Sequence, residues 1–139
     1  RQDKFDKAEP LYREALKGFR RVLGDEHPDT LISIYNTGSL VKAQGKFVEA
    51  EPYYREALAG FRRVFGKEHP HTLSALHLLS LLLKDQGKFI EAERLAAELL
   101  GLAPKNHRKY AQFRELLDAI IEARKKAGKQ ALKKTDKSP

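Results

Sequence analysis

Histidine offers the most chemistry near neutral pH, and this chain of 139 residues has five. His27 and His69 sit in two copies of one turn, Glu26-His27-Pro28 and Glu68-His69-Pro70, which points to a structural role. His71 and His77 are six residues apart. On a helix that spacing does not share a face, so the two do not make a metal pair. Glu49 and Glu51, like Glu91 and Glu93, are two apart and point in different directions on a helix. They read as solvated charges or local ion-pair partners, not as an acid–base dyad. There is no cysteine, hence no thiol nucleophile, disulfide or cysteine–zinc site. No glycine loop of the phosphate-cradling type is present, and no Ser-His-Asp set suggests itself. The expectation is a protein without catalytic residues, metal or cofactor.

Composition narrows the class. Apolar residues make up 41% and charged residues 33%, enough to build one folded domain and too apolar for a disordered chain. No apolar run approaches the roughly 18 residues a membrane span needs; the most apolar stretch, Leu76 to Leu83, is broken by Ser80. No signal-peptide pattern opens the chain. With no methionine even at position 1, a fragment or processed form is expected. The net charge of +8 is unevenly placed. Residues 1–103 carry 16 Lys/Arg against 15 Asp/Glu, and residues 104–139 carry 11 against 4. The basic C-terminal stretch reads first as a solvated terminus.

The elements that hold these residues come in repeats. Shifting the sequence by 42 positions aligns residues 4–45 with 46–87 at 25 of 42 positions. Lys4-Phe5 through Glu14-Ala15-Leu16 recurs as Lys46-Phe47 through Glu56-Ala57-Leu58, and Gly18-Phe19-Arg20-Arg21-Val22 recurs as Gly60-Phe61-Arg62-Arg63-Val64. A third copy starts at Lys88-Phe89-Ile90-Glu91-Ala92 and then diverges. Phe47, Ala50, Tyr54, Ala57, Leu58, Phe61 and Val64 fall on one helical face. Leu73, Leu76, Leu79, Leu82 and Leu83 do the same for the following segment. Each unit is therefore a helix pair, closed by Gly45, Gly66 or Gly87. The expected helices span about 4–23, 28–44, 46–65, 70–86, 88–101 and 106–127. Pro10 and Pro52 fall inside two of them, where proline costs about 3 kcal/mol, so a kinked first turn or a late start is expected. One helix pair cannot bury its own apolar face, and stacking neighbours does so.

These residues resemble tetratricopeptide repeats (TPR) of the 42-residue kinesin light chain type. The signature is Gln44-Gly45-Lys46-Phe47-Val48-Glu49-Ala50-Glu51-Pro52-Tyr53-Tyr54-Arg55-Glu56-Ala57-Leu58, with Gly66-Lys67-Glu68-His69-Pro70-His71-Thr72-Leu73. The resemblance implies an all-α fold: a right-handed α-solenoid of about two and a half TPR helix pairs over residues 1–104. A capping helix over 105–127 presents Tyr110, Phe113, Leu117 and Ile120 to the stack, and a basic disordered tail covers 128–139. Arg1-Gln2-Asp3 align with Ala43-Gln44-Gly45, so the first repeat lacks its helix A. Earlier repeats are expected to precede it, and the face of Phe5, Tyr12 and Phe19 is expected to be uncovered and to drive self-association.

In such repeats the first helix of each pair (helix A) lines a concave, peptide-binding surface. Carried over by position, the groove comprises Ile32, Tyr35, Asn36, Ser39 and Lys42 from one helix A, and Ser74, His77, Leu78, Leu81 and Lys84 from the next. The final helix adds Arg108, Ala111 and Glu115. Asn36 can pair with a peptide backbone, and apolar neighbours offer anchoring pockets. The second copy has Leu78 where the family's asparagine stands. The clamp by which some TPRs capture a C-terminal carboxylate is not matched at Tyr35, Ser39, His77 and Leu81. Lys42, Lys84 and Arg108 favour an acidic peptide. The resemblance thus implies a cytoplasmic, non-catalytic scaffold that binds a protein or peptide, with cargo recognition for a motor as its most specific form. The alternative is a nucleic-acid-associated or self-assembly module acting through Arg124, Lys125, Lys126, Lys129, Lys133, Lys134 and Lys137. That tract lacks interleaved aromatics and, with Leu132 its one large apolar residue, lacks a membrane-binding face.

Overall fold

Glycine and proline punctuate the chain where its helices change direction. The computed structural model describes residues 2–136, as six helices. They are α1 (Gln2–Leu23), α2 (Pro28–Ala43), α3 (Phe47–Val64), α4 (Pro70–Asp85), α5 (Phe89–Leu102) and α6 (Tyr110–Asp136). No strand is present among the described residues. The fold is an all-α repeat. Gly45 and Gly87 adopt φ of +82° and +79°, a region that costs other residues strain. They close α2 and α4 in the same way. Gly45 N–H donates to the Lys42 carbonyl and Lys46 N–H to that of Val41; Gly87 and Lys88 repeat this with Lys84 and Leu83. Such a double bond satisfies carbonyls that the helix end leaves open and turns the chain directly into the next helix.

The repeated turn histidines start the helices. His27 Nδ1 accepts from the Asp29 N–H at 3.1 Å, and His69 Nδ1 from the His71 N–H at 3.0 Å. His107 Nδ1 does the same for Lys109 just ahead of α6. The imidazole thus takes the capping place usually held by serine or aspartate, and Pro28 and Pro70 follow at the first helical position, where the missing N–H is harmless.

Pro10 and Pro52 lie well inside α1 and α3, and neither helix starts at its proline. Both prolines are exposed. Water can reach the carbonyls they leave without an amide partner, which softens the usual penalty.

The chain divides into two compact units, residues up to 79 and residues from 80 onward. In the first, α1 packs on α2 and α2 on α3. Its core holds Leu31, Ile34 and Val41 of α2 with Ala50, Tyr54, Ala57, Leu58 and Phe61 of α3. Gly38 and Gly60 let the helices approach: a Cβ at Gly38 would lie 2.8 Å from Tyr53 Cβ, and one at Gly60 would lie 2.2 Å from Leu31 Cδ2. Arg20 of α1 donates to both Glu56 carboxylate oxygens on α3 at 2.8 Å, and also to Asp25. Arg63 pairs with Glu26. These contacts are partly exposed, so they fix geometry more than they add stability.

In the second unit α5 packs on α6, burying Leu95, Ala96, Leu99, Phe113, Leu116 and Ile120. Leu116 is buried where the sequence pointed to Leu117; Leu117 and Tyr110 are half-buried. Leu116 and Leu117 flank the Phe113–Ile120 line on its two sides, and the buried face of α6 extends to the Leu116 side. The last helix also departs from expectation at both ends. It starts at Tyr110, and residues 128–136, expected as a tail beyond the helix, are helical. Their Lys, Gln, Ala and Leu are good helix formers, against Gly128, Thr135 and Asp136, which are poorer. Lys133 and Lys134 lie in the last turn, where the helix dipole favours cations. Arg1, Lys137 and the rest of 137–139 lie outside the described residues.

His71 is expected to make the first unit sensitive to acid. Its ring faces Phe61 at 5.5 Å, Phe65 at 5.4 Å and His69 at 4.9 Å. Burial first, and the neighbouring His69 second, hold its imidazole below the ordinary value of 6.5. The unfolded chain therefore takes up this proton first. The stability that neutral His71 supplies is fully present above the unfolded value and is lost as pH falls through the folded one. The expected result is a lower Tm at about pH 5.5 than at about pH 7.5, with a smaller drop in His71→Gln. Circular dichroism melts of the two chains check it; an equal drop in both removes His71 as the cause.

Candidate protein-interaction surface

The expected groove residues of α2 divide between contacts with α3 and a groove shared with α1. Tyr35 and Ser39, one turn apart, face α3. The Tyr35 ring meets Tyr54 edge-on at 5.6 Å and Phe61 at 6.0 Å. The Tyr54 hydroxyl donates to Ser39 Oγ at 3.0 Å. Burial, with a smaller contribution from Tyr54, pushes the Tyr35 hydroxyl up to about 12. These two side chains are committed to holding α2 on α3.

Ile32 and Asn36 lie further round the same arc of α2 and border α1 instead. With Asp29 and Ser33 of α2, and with Leu11, Tyr12, Ala15 and Phe19 of α1, they line an open groove of about 490 Å³. Asn36 is exposed and Ile32 half-buried. The groove is apolar along α1, and Asp29 is its one charged lining residue. Lys42 is half-buried near the C-terminal end of α2, where its cation suits the dipole; it is not among the residues lining the groove.

The α4 candidates fall in separate units. Ser74 is exposed, and His77 and Leu78 are half-buried, in the first unit; Leu81 and Lys84, half-buried, belong to the second. Arg108 is exposed in the turn before α6, not on the final helix, because α6 begins two residues later. Ala111 and Glu115 are exposed on α6.

The α1 side of the groove owes its exposure to an asymmetry between two nearly identical helices. Tyr54 and Phe61 of α3 are 0% and 1% exposed, whereas their counterparts Tyr12 and Phe19 of α1 are 42% and 36% exposed. Ala57 is buried and Ala15 exposed. The open face of Tyr12 and Phe19 was legible from the repeat register. Its merging with Ile32 and Asn36 into one groove was not, and Leu11, Ala15, Asp29 and Ser33 were missed. The signal for Leu11 and Ala15 was available: the 42-residue offset pairs them with Tyr53 and Ala57 on the α2-facing side of α3.

Elsewhere the described residues hold no cluster of three or more metal-ligating side chains. No described helix is long and apolar enough to cross a membrane.

The repeat geometry is matched by a known sequence family. The tetratricopeptide repeat model matches residues 1–63 and 38–105, and the chain belongs to that family. Solved structures with the same repeat fold include the following. BtubC (BKLC) from P. vanneervenii is 25% identical with a TM-score of 0.79, over 87% of this chain and 50% of that one. A Podosopora anserina protein described as a kinesin light chain with nearly identical TPR-like repeats is 20% identical, with a TM-score of 0.80 over 92% of this chain and 64% of that one. A single-substitution variant of the latter gives 20% identity and a TM-score of 0.81, over 92% of this chain and 63% of that one. The chain spans about half to two-thirds of the length of these structures. A comparison with curated proteins finds no match.

Proposed function

We propose that this chain is a non-catalytic protein-interaction module that takes a peptide or a partner helix on its helix A surface. TPR repeats in general mediate protein–protein interaction. The observation that carries the reading here is the α1–α2 groove, which sets the candidate residues Ile32 and Asn36 beside an exposed apolar stripe. Such a stripe with convergent polar groups is what a docking site needs. Lys42, outside that groove but in the same unit, favours acidic residues in a ligand's flank; Lys84 and Arg108, in the second unit, keep the expected preference for acidic peptides there. A cytoplasmic setting and cargo recognition for a motor fit the kinesin light chain-like repeat and are part of this proposal.

The competing reading, nucleic-acid or self-assembly contact through α6, draws on the exposed Lys125, Lys126 and Lys129. Arg124 is tied to Glu93 at 2.8 Å and is less available to it. A selection from a random peptide library separates the two. Sequence-selective ligands are expected to bind the native chain, to be lost in Ala15→Glu, and to survive in a chain with Lys125, Lys126 and Lys129 all changed to glutamate. Ligands that follow the lysines instead, and vanish between about 50 and 200 mM salt, would overturn the groove reading.

A further inference from the structure

The outer face of α6 carries its charge in two blocks. With 3.6 residues per turn, Glu115, Asp118, Glu122, Lys125, Lys126, Lys129 and Lys133 fall within an arc of about 100°. All are exposed, on the side of the helix away from Phe113, Leu116 and Ile120, which are buried where α5 packs. No large apolar side chain lies on this arc between Glu115 and Lys133, so it is not built as the packing face of a further repeat. The acidic block comes first and the basic block second. Such segregation is unfavourable within one helix, where like charges three or four residues apart repel. Asp118 has Glu115 and Glu122 at that spacing, and Lys129 has Lys125, Lys126 and Lys133. Neither Glu115 nor Lys129 has an opposite charge one turn away.

We infer that α6 pairs with α6 of a second copy of this chain, antiparallel and outer face to outer face. A two-fold axis lays the acidic block of each helix on the basic block of the other. Glu122 then faces Lys125 of the second copy, Asp118 faces Lys129 and Glu115 faces Lys133. These pairs share one midpoint, at Ala123–Arg124, so a single axis there serves them all. The steps from Asp118 to Glu122 and from Lys125 to Lys129 are both about 6 Å along the helix, which keeps the two ladders in step. A parallel arrangement would set like charge on like. Exposed pairs are individually weak and screened by salt, so the dimer is of low affinity and is governed by ionic strength. Nucleic acid suits the face less well. A phosphate backbone laid along it would meet the carboxylates, and no aromatic stands on the arc to stack a base. The inference concerns the second unit alone, and the groove reading stands or falls without it.

Sedimentation equilibrium of the full chain at about 20 and about 300 mM salt tests it. A monomer–dimer equilibrium is expected at low salt, with a Kd at least about tenfold larger at high salt. Lys125→Glu, Lys129→Glu and Lys133→Glu made together should weaken the dimer by about tenfold or more, and so should Glu115→Lys, Asp118→Lys and Glu122→Lys made together. A chain with all of these exchanges carries the blocks in reversed order and should dimerise like the native chain, with the same salt dependence. Circular dichroism checks that each variant keeps its helices. Should a reversal cost helix content, Lys125→Gln, Lys129→Gln and Lys133→Gln give the same comparison. A native chain that stays monomeric at about 1 mM in low salt overturns the inference, and so does a full exchange that stays monomeric. A dimer indifferent to these sites and lost in Ala15→Glu belongs to α1 and overturns it too. A monomeric chain whose lysines instead bind a short DNA duplex, read by fluorescence anisotropy, gives the stripe to phosphates and likewise defeats the pairing.

Discussion

Phe61→Ala is expected to cost the first unit about 3–5 kcal/mol, and Phe19→Ala about 1–2 kcal/mol. The two phenylalanines occupy the same place in a repeated sequence, flanked by the same Gly and Arg-Arg-Val. What differs is what lies over them. The Phe61 ring is enclosed by Tyr35, Phe65 and His71, with centroids 6.0, 5.7 and 5.5 Å away. Truncating it removes a large buried area and leaves a cavity that rings on three sides cannot close. Phe19 keeps over a third of its surface in water, so its removal gives up less burial and opens no closed cavity. Urea unfolding of the full chain, followed by circular dichroism, measures both. Similar losses for the two would mean that the α1 face is covered in solution.

The second large contrast has opposite signs. Gly60→Ala should destabilise by about 1–2 kcal/mol, whereas Gly18→Ala should stabilise by about 0.5–1 kcal/mol. Both glycines are helical, and alanine is the better helix former by up to about 1 kcal/mol. At Gly18 nothing lies within 4 Å of the new methyl, so that gain is kept. At Gly60 the methyl would run into Leu31, a residue 1% exposed and packed on all sides. Leu31 can yield only by leaving its well, and α2 can yield only by moving off α3; either costs more than the propensity returns. Midpoints from the same urea titrations decide it, and a stabilised Gly60→Ala would show that Leu31 repacks freely.

Much of this architecture was written in the local pattern. The glycines at 45, 66 and 87, the apolar stripe from Phe47 to Val64 and the Glu-His-Pro turns each mark a boundary by a backbone rule that acts within a few residues. That is why five of the six helices fall within about two residues of the sequence reading, inside the spread expected at helix ends. Where the rules weaken, the reading drifted. The start of α6 depends on a His107 cap that lacks the proline following His27 and His69, and its end has no stop signal short of the described boundary. The site was harder, because a helix A pattern gives the angular position of Tyr35 and Asn36 but not which neighbour each one meets. Tyr35 and Ser39 turned out to serve the packing of α2, and Ile32 and Asn36 the groove. Leu11 and Ala15 went unnoticed because they belong to the other helix of the pair, which the resemblance does not assign to binding.

The uneven burial of α1 and α3 also bears on how such a protein can change over time. Mutations at Tyr54, Ala57 or Phe61 are filtered by folding before any partner is consulted. Mutations at Leu11, Tyr12, Ala15 or Phe19 meet a weaker filter, since those side chains are exposed. The chain thus separates its tolerance from its architecture. One copy of the repeat is held to its sequence, and the other is free to drift toward a new ligand without the risk of unfolding.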